Sequence, residues 1–340
     1  MAKKTSIRTI AKLAGCSIST VSNVLNNNSR FFSEATRKRV MKVVNAKRYI
    51  SNASGRNLRT GRTETIGLLF YPPNADIFDS EFHISIMLSL QKTLSKNGYE
   101  LLLSEYTKAQ VESDQIPSFV MKGKADAMII LGGMPKRALQ NILKWEIPTL
   151  MLDSYMPNVD SISTNGRKAS RDATSYLISM GHRHIEYFLY GNDDYNSNMR
   201  ALGFLDAVAE FGLDPAVCRV HNQLEDKQGA ARELEALISS KKIPTAIMGA
   251  NDNITTFLMS LVQSKGIRVP DDISFFGFDD VMMSTRCNPQ LSTVHTDTSM
   301  LGEVGALSIL HRLQNPDSPR INKIFDLELK IRDSVKNMAV

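Results

Sequence analysis

A chain of 340 residues with a formal net charge of +6 and an ordinary 42% of hydrophobic residues is too long for one usual core, so two or three domains are expected. No run of about 18 apolar residues could cross a membrane, and no apolar segment follows Lys3 and Lys4 to form a secretory leader. Cys16, Cys218 and Cys287 are too scattered for a metal site or disulfide scaffold, and each is expected as a small buried hydrophobe in a reducing cytoplasm. The charge is split. Residues 1–62 hold 14 Lys/Arg against the single acid Glu34, a net of +13, and the remainder holds 27 basic against 34 acidic residues, a net of −7. Such a head offers phosphate neutralisation with a steep salt dependence; the alternative is a solvated basic tail.

In chain order, Ile7, Ile10, Ala11 and Ala14 recur at helical spacing. Gly15 suits a tight turn, and Ser17 suits the N-cap of a second short helix whose inner face is Val21, Val24 and Leu25. The opposite face carries Ile18, Ser19, Ser22 and Asn23, small or hydrogen-bonding groups able to reach base edges. Two short helices across a glycine turn read as a helix-turn-helix, with an ordinary helical hairpin as the alternative. The stretch Ile10-Ala11-Lys12-Leu13-Ala14-Gly15-Cys16-Ser17-Ile18-Ser19-Thr20-Val21-Ser22-Asn23-Val24-Leu25-Asn26 resembles the opening signature of the LacI/GalR family of bacterial transcription repressors.

Ser33 as N-cap and Glu34 in the first turn open a third helix, with Val40, Val43 and Val44 inward and Arg37, Lys38, Arg39, Lys42 and Lys47 outward. Residues 51–62 read as a polar linker. By the resemblance this is the hinge helix, which folds on the operator, and Leu58 matches the leucine that enters the minor groove; a linker leucine packed on the body is the alternative. Ser51 stands where the family usually has proline and Gly55 where it has alanine, and glycine inside a helix costs about 1 kcal/mol relative to alanine.

From Thr65 apolar runs alternate with amphipathic stretches. Strands are expected at 66–70, 101–103, 127–131 and 149–152, with helices at 82–97, 111–123 and 136–144 between them. A second series places strands at 185–189, 217–220, 246–248 and 273–276 and helices at 168–180, 197–211, 226–239 and 252–265. This alternation specifies parallel sheets covered by helices on both faces, hence two doubly wound lobes with ligands at the carboxyl ends of the strands. Extended segments at 291–295 and 324–329 flank a helix at 299–313, which resembles the crossover of periplasmic-binding-protein-like folds. Trp145, the single tryptophan, is expected to pack at a helix end.

Later motifs carry the resemblance through to about residue 332: Gly181-His182-Arg183-His184-Ile185, Arg200-Ala201-Leu202-Gly203-Phe204, Ala250-Asn251-Asp252, Val269 to Asp280, and Asn288-Pro289-Gln290-Leu291-Ser292-Thr293-Val294. Asp153, Asn251 and Asp279 follow strands, and Arg200 lies early in a helix. Carboxylates accept from adjacent hydroxyls and a guanidinium donates in a fixed fork, a set suited to a polyol. By the resemblance these four contact the effector, with Thr296 and Asn196 beside them and Phe82 as a ring-stacking surface. Loop caps or inter-lobe salt bridges are the alternative for the polar residues, and core packing for Phe82. Where the family usually has Asp-Asn, the chain reads Asn165-Gly166, which removes a carboxylate.

No nucleophile elbow, phosphate-binding loop or metal-spaced histidine pair occurs, so no enzyme activity, metal or cofactor is expected. The expectation is an N-terminal all-α helix-turn-helix domain (1–50), a hinge (51–62) and an α/β periplasmic-binding-protein-like domain (63–340) of two doubly wound parallel-sheet lobes. The first lobe spans about 63–162 plus 293–323, the second about 163–292 plus 324–340. The resemblance implies a cytoplasmic, nucleoid-associated repressor of carbohydrate-utilisation genes that binds palindromic double-stranded operator DNA under control of a sugar or sugar phosphate. Ile18, Ser19 and Asn23 are assigned to bases, Thr20 and Ser22 to phosphates, and Ser17, Asn26 and Leu58 complete the DNA set. Residues 333–340 show no leucine heptad, so a homodimer is expected rather than a tetramer, without a membrane partner; a protein corepressor is not indicated. A cytosolic sugar-binding protein without specific DNA recognition is the alternative.

Overall fold

The computed structural model describes residues 5–25, 29–49, 61–71, 80–190, 195–224, 226–240 and 243–339. It separates into two compact units, Met1–Thr63 and Glu64–Val340. Asn26, Leu58 and all of the expected hinge except Gly61 and Arg62 lie outside the described residues.

In the first unit, α1 (Ile7–Ala14) is capped by Ser6 and stops at Gly15, whose φ of 61° is left-handed, a conformation glycine adopts without a Cβ penalty. Helix α2 (Ile18–Leu25) starts where the Ser17 Oγ accepts the Thr20 N–H at 3.0 Å. The Ser33 Oγ does the same for the Thr36 N–H at 3.3 Å and opens α3 (Glu34–Ala46). Ile10, Ala11, Ala14, Val21, Val24, Val40 and Val44 close a small core between them, at about 1.5–3 kcal/mol for each large aliphatic side chain fully buried.

The second unit holds two parallel sheets. The first contains β1 (Thr65–Phe70), β2 (Glu100–Glu105), β3 (Ala127–Leu131), β4 (Thr149–Leu152), β5 (Asp160–Thr164) and a late strand, β11 (Asn322–Phe325). Their order is β11-β5-β4-β3-β1-β2, with every pair parallel. Side chains alternate across it. Ile66, Leu68, Phe70, Ile129 and Leu131 pack on helices α4 (Glu81–Lys96) and α13 (Thr298–Gln314). Leu69, Met128, Ile130 and Met151 pack on the opposite layer, which includes α6 (Ser118–Met121) and α7 (Lys136–Leu143). The expected helix at 111–123 is instead two short ones, α5 (Lys108–Glu112) and α6, because Pro117 lacks a donor and disfavours helix at the residue before it.

The second sheet has the order β7-β6-β8-β9, built from β6 (Ile185–Tyr190), β7 (Val220–Leu224), β8 (Ala246–Gly249) and β9 (Ser274–Phe276). Ile185, Tyr187, Leu189, Ala246 and Met248 face α8 (Gly166–Ser179) and α9 (Tyr195–Glu210). Phe188, Ile247 and Phe275 face α10 (Lys227–Ser239) and α11 (Asp252–Ser264). After a short α12 (Met282–Arg286), β10 (Thr293–His295) pairs antiparallel with β12 (Glu328–Lys330). The single extended segment expected at 324–329 is thus divided: β11 joins the first sheet, so the expected lobe boundary at 323/324 falls inside a strand.

Two packing expectations need correction. Cys218 is buried, but Cys16 and Cys287 are only partly so, because each sits in a turn beside a helix end rather than in a core layer. Trp145 follows α7 and is 48% exposed.

Candidate functional site

On the first unit, the outward face of α2 presents Ile18, 44% exposed, and Ser19, with Asn23 half-buried beside them. The Ser17 Oγ lies 2.7 Å from the Ser19 Oγ and 2.8 Å from the Thr20 Oγ1, so these three hydroxyls form one cluster at the N-terminus of α2. The Asn23 side-chain amide makes no hydrogen bond to another described residue. The helix ISTVSNVL carries no charged side chain; among the described residues of α1 and α3, Arg8, Lys12, Arg37, Lys38, Arg39 and Lys42 supply basic groups.

On the second unit, a cavity of about 180 Å³ opens between the start of α4 (Glu81, Phe82, Ser85), the turn after β9 (Asp279, Asp280, Val281) and the crossover from β10 into α13 (His295 to Ser299). Of the expected effector residues, Phe82, Asp279 and Thr296 line it. The Phe82 ring is buried in the first sheet's core and also borders the cavity. The Thr296 hydroxyl, in a residue 4% exposed, has no hydrogen-bond partner among the described residues, and a buried hydroxyl without a partner costs about 1–3 kcal/mol.

Asp279 is built into strain and charge. Its φ of 108° is outside the ordinary range for a residue with a Cβ, and Asp153 and Asp280 are also left-handed at 54° and 58°. Such conformations cost about 1–3 kcal/mol each and persist where surrounding contacts over-determine them. The Asp279 Oδ1 meets the Arg200 guanidinium at 3.0 Å, both side chains being almost fully buried. The same guanidinium donates to the Ala250 carbonyl at 2.6 Å and lies 3.7 Å over the Phe278 ring. Beside this pair the fully buried Tyr187 hydroxyl has no hydrogen-bond partner among the described residues, and burial pushes its pKa far up, opposed by the Arg200 charge and aided by the Asp279 charge.

Asp280 is held differently. Its carboxylate accepts from Ser284 at 3.0 Å, from His295 at 2.9 Å and from Arg332 at 2.5 Å. Burial alone would raise its pKa, but the hydrogen bonds from Arg332, Ser284 and His295 outweigh burial and hold it below its usual value. Asp252 runs the other way: burial, and then the Asp279 charge, raise it well above the ordinary carboxylate range, although Thr293 and the Val281 N–H both donate to it.

The remaining expected residues sit outside the cavity lining. The Asn196 amide donates to the Asp153 carbonyl at 2.8 Å, joining α9 of the second lobe to the turn after β4 of the first. Asn251 accepts the Ile254 N–H at 3.0 Å and caps α11, the loop-cap alternative stated for it. Its neighbour Asp252 carries the perturbed carboxylate of that motif and was missed, although a buried acid at the first position of a helix after a strand was the available signal. Tyr187 gave none, since it alternates into the core like any strand aromatic. The Asn165-Gly166 departure also has a local use: Asn165 donates to Asp326 at 3.0 Å, and a Cβ at Gly166 would come within 3.3 Å of the Arg200 stem.

Among the described residues, no group of His, Cys, Asp and Glu could hold a metal ion and no helix is long and apolar enough to cross a membrane. The family model of bacterial regulatory proteins of the lacI family matches residues 6–52, and that of the periplasmic binding protein-like domain matches residues 174–335. A ribose operon repressor of Haemophilus influenzae is 26% identical, with 98% of this chain and 99% of the relative covered. The HTH-type transcriptional repressor PurR of Photobacterium profundum is 28% identical over the same shares. The lac repressor dimer bound to operator and the anti-inducer ONPF superposes with a TM-score of 0.84 at 20% identity, covering 98% of this chain and 100% of that one. A complex of the transcriptional regulator CelR with cellobiose gives 0.71 at 22%, covering 97% and 99%. With a lacI-type head in front of a periplasmic-binding-like body, and repressors that match it from end to end, the chain belongs to the LacI/GalR family of bacterial transcriptional repressors.

Proposed function

We propose that the chain is a cytoplasmic repressor of carbohydrate-utilisation genes that binds a near-palindromic operator as a homodimer, with its DNA affinity set by a neutral sugar. The observation that carries the DNA half is the outward face of α2, unpaired at Asn23 and exposed at Ile18, on a head of net charge +13. Ile18, Ser19 and Asn23 read bases, while Thr20, Ser22 and the amides near Ser17 position the helix on phosphates; Asn26 and Leu58 are assigned to DNA by the family pattern.

The sugar half rests on the cavity. A ribose operon repressor and a cellobiose-bound regulator are among the relatives and structural neighbours. The lining holds Glu81, Asp279, Asp280 and Asp297 and no lysine or arginine among the described residues. Arg200 and Arg332 are already engaged by Asp279 and Asp280. Hydroxyls suit these acceptors, and a phosphate would meet uncompensated like charge. The neutral sugar is therefore favoured over the sugar phosphate. Asp153, Asn196 and Asn251 act through lobe closure and helix capping around it. The ligand controls DNA only to the extent that it binds two lobe arrangements with different affinity.

Selection from random duplexes by the full-length chain tests this. A two-fold symmetric site that relaxes with Asn23→Ala and weakens at its centre with Leu58→Ala is expected. Melting shifts on matched pairs, ribose with ribose 5-phosphate and glucose with glucose 6-phosphate, test the cavity. Stabilisation by phosphorylated members alone would overturn the neutral-sugar assignment, and failure to enrich any site would put the sugar-binding protein without DNA recognition first.

A further inference from the structure

The chemistry of α2 limits which bases it can read. Guanine is read by a bidentate Arg or Lys on O6 and N7, and cytosine by a carboxylate accepting from N4. Helix α2 has neither: between Ile18 and Leu25 there is no basic and no acidic residue. What it presents outward is one side-chain amide, one exposed branched aliphatic and hydroxyls. The Ser19 hydroxyl is gathered into the Ser17 and Thr20 cluster at 2.7 and 2.8 Å, and a hydroxyl serves any base as donor or acceptor. Discrimination therefore falls to Asn23 and Ile18. The Asn23 amide is not engaged by any other described residue.

We propose that the base pairs read by α2 are A·T pairs, with the Asn23 amide bidentate on adenine and the Ile18 side chain against a thymine methyl. The Asn23 Nδ2 donates to adenine N7 and its Oδ1 accepts from N6, a pairing that no other base edge in the major groove reproduces. Ile18 has no polar atom to leave unsatisfied over the methyl, whereas over the cytosine N4 or guanine O6 it would strip water without replacing a hydrogen bond. The basic residues of α1 and α3, which include Arg8, Lys12, Arg37 and Lys42, supply phosphate contacts that carry no sequence information.

This inference rests on the reading of the chain as a sequence-specific DNA binder, and the test separates the two. The full-length chain selects from random duplexes, as do Asn23→Ala and Ile18→Ala; both side chains lie on the surface, and unchanged melting confirms that the fold is kept. The positions whose preference relaxes in each variant are those read by that residue. At the Asn23 position, replacing adenine with 7-deazaadenine removes the N7 acceptor and is expected to weaken the parent about 5- to 150-fold, the equivalent of about 1–3 kcal/mol, and to leave Asn23→Ala unaffected. At the Ile18 position, replacing thymine with uracil removes the methyl and is expected to cost the parent about fourfold, the equivalent of about 0.8 kcal/mol, and to leave Ile18→Ala unaffected. Asn23→Arg is expected to convert its preferred pair from A·T to G·C. Relaxed positions that are G·C in the parent, no relaxation in either variant, or base analogues that weaken parent and variants equally would each overturn the assignment while the regulator reading stands. If no symmetric site is enriched, that reading falls and this one with it.

Discussion

Arg200 is the residue on which the second unit's polar centre turns. Its guanidinium serves Asp279, the Ala250 carbonyl and the Phe278 ring at once, a combination that needs the planar fork. Lysine keeps the charge but loses the fork. Arg200→Lys is expected to lower unfolding free energy by about 1–3 kcal/mol, measured by urea denaturation, and to abolish sugar-induced melting shifts. Arg200→Met is expected to cost more, about 3–5 kcal/mol, because it strands the Asp279 charge in the interior. Equal midpoints for Arg200→Lys and the parent would show that the pair is not maintained in solution. The motifs made Arg200 and Asp279 legible as separate residues 79 positions apart. Nothing in either motif reported that they meet, because that contact is fixed by how β6, β8 and β9 pair and not by local spacing.

Helix α9 reaches that position by lying unusually close to α8. A Cβ at Gly203 would stand 2.0 Å from the Arg167 carbonyl oxygen, so any larger residue must push the two backbones apart. Gly203→Ala is expected to destabilise the second unit by at least the overpacking cost of about 1–3 kcal/mol and, by displacing Arg200 and Asn196 with the helix, to weaken sugar binding as well. A variant that lost stability while keeping its sugar affinity would show that α9 does not position the site. Elements were read well where local chemistry decides them: the Ser17 and Ser33 caps and the Gly15 stop all form as their side chains dictate. They were read poorly where tertiary pairing decides. Residues 324–329 are apolar enough for one strand, yet β11 is drawn to β5 and β12 to β10, a choice made by the sheets on either side. The site followed the same division, with Asn251 legible as a loop residue but its cap distinguishable from a ligand contact only once the geometry of α11 was in hand.

At the scale of the whole chain, two charge systems set how it responds to its medium. The fully buried Glu186 accepts from His221 at 2.9 Å, from Arg219 at 2.9 Å and from His184 at 3.2 Å. Burial raises its pKa, but these three partners outweigh burial and leave it lowered. A carboxylate with a depressed folded-state pKa stabilises fully above its unfolded value, about 4.3, and that contribution is lost as pH falls through the folded value. Thermal stability is therefore expected to drop on acidification below about pH 4.3, and Glu186→Gln, less stable at neutral pH, is expected to approach the parent there. A constant difference across the acid range would place the acid sensitivity elsewhere. The second system is the split between a head of +13 and a body of −7. DNA affinity should come from the head through counterion release, with log K falling against log salt at a slope of about −0.9 per neutralised phosphate. For about 6–10 contacts in a dimer, affinity is expected to drop about 10³- to 10⁵-fold between 50 and 200 mM salt. The body's net negative charge predicts the same steep fall for selected and random duplexes, since the net-positive head is the part drawn to phosphate. Asn23→Ala should then lower the line for the selected site without changing its slope, whereas losing one phosphate-holding lysine should flatten the slope by about 1 for each head. A slope that changed with Asn23→Ala would mean that the residue holds backbone rather than base, and the division of labour on α2 would have to be redrawn.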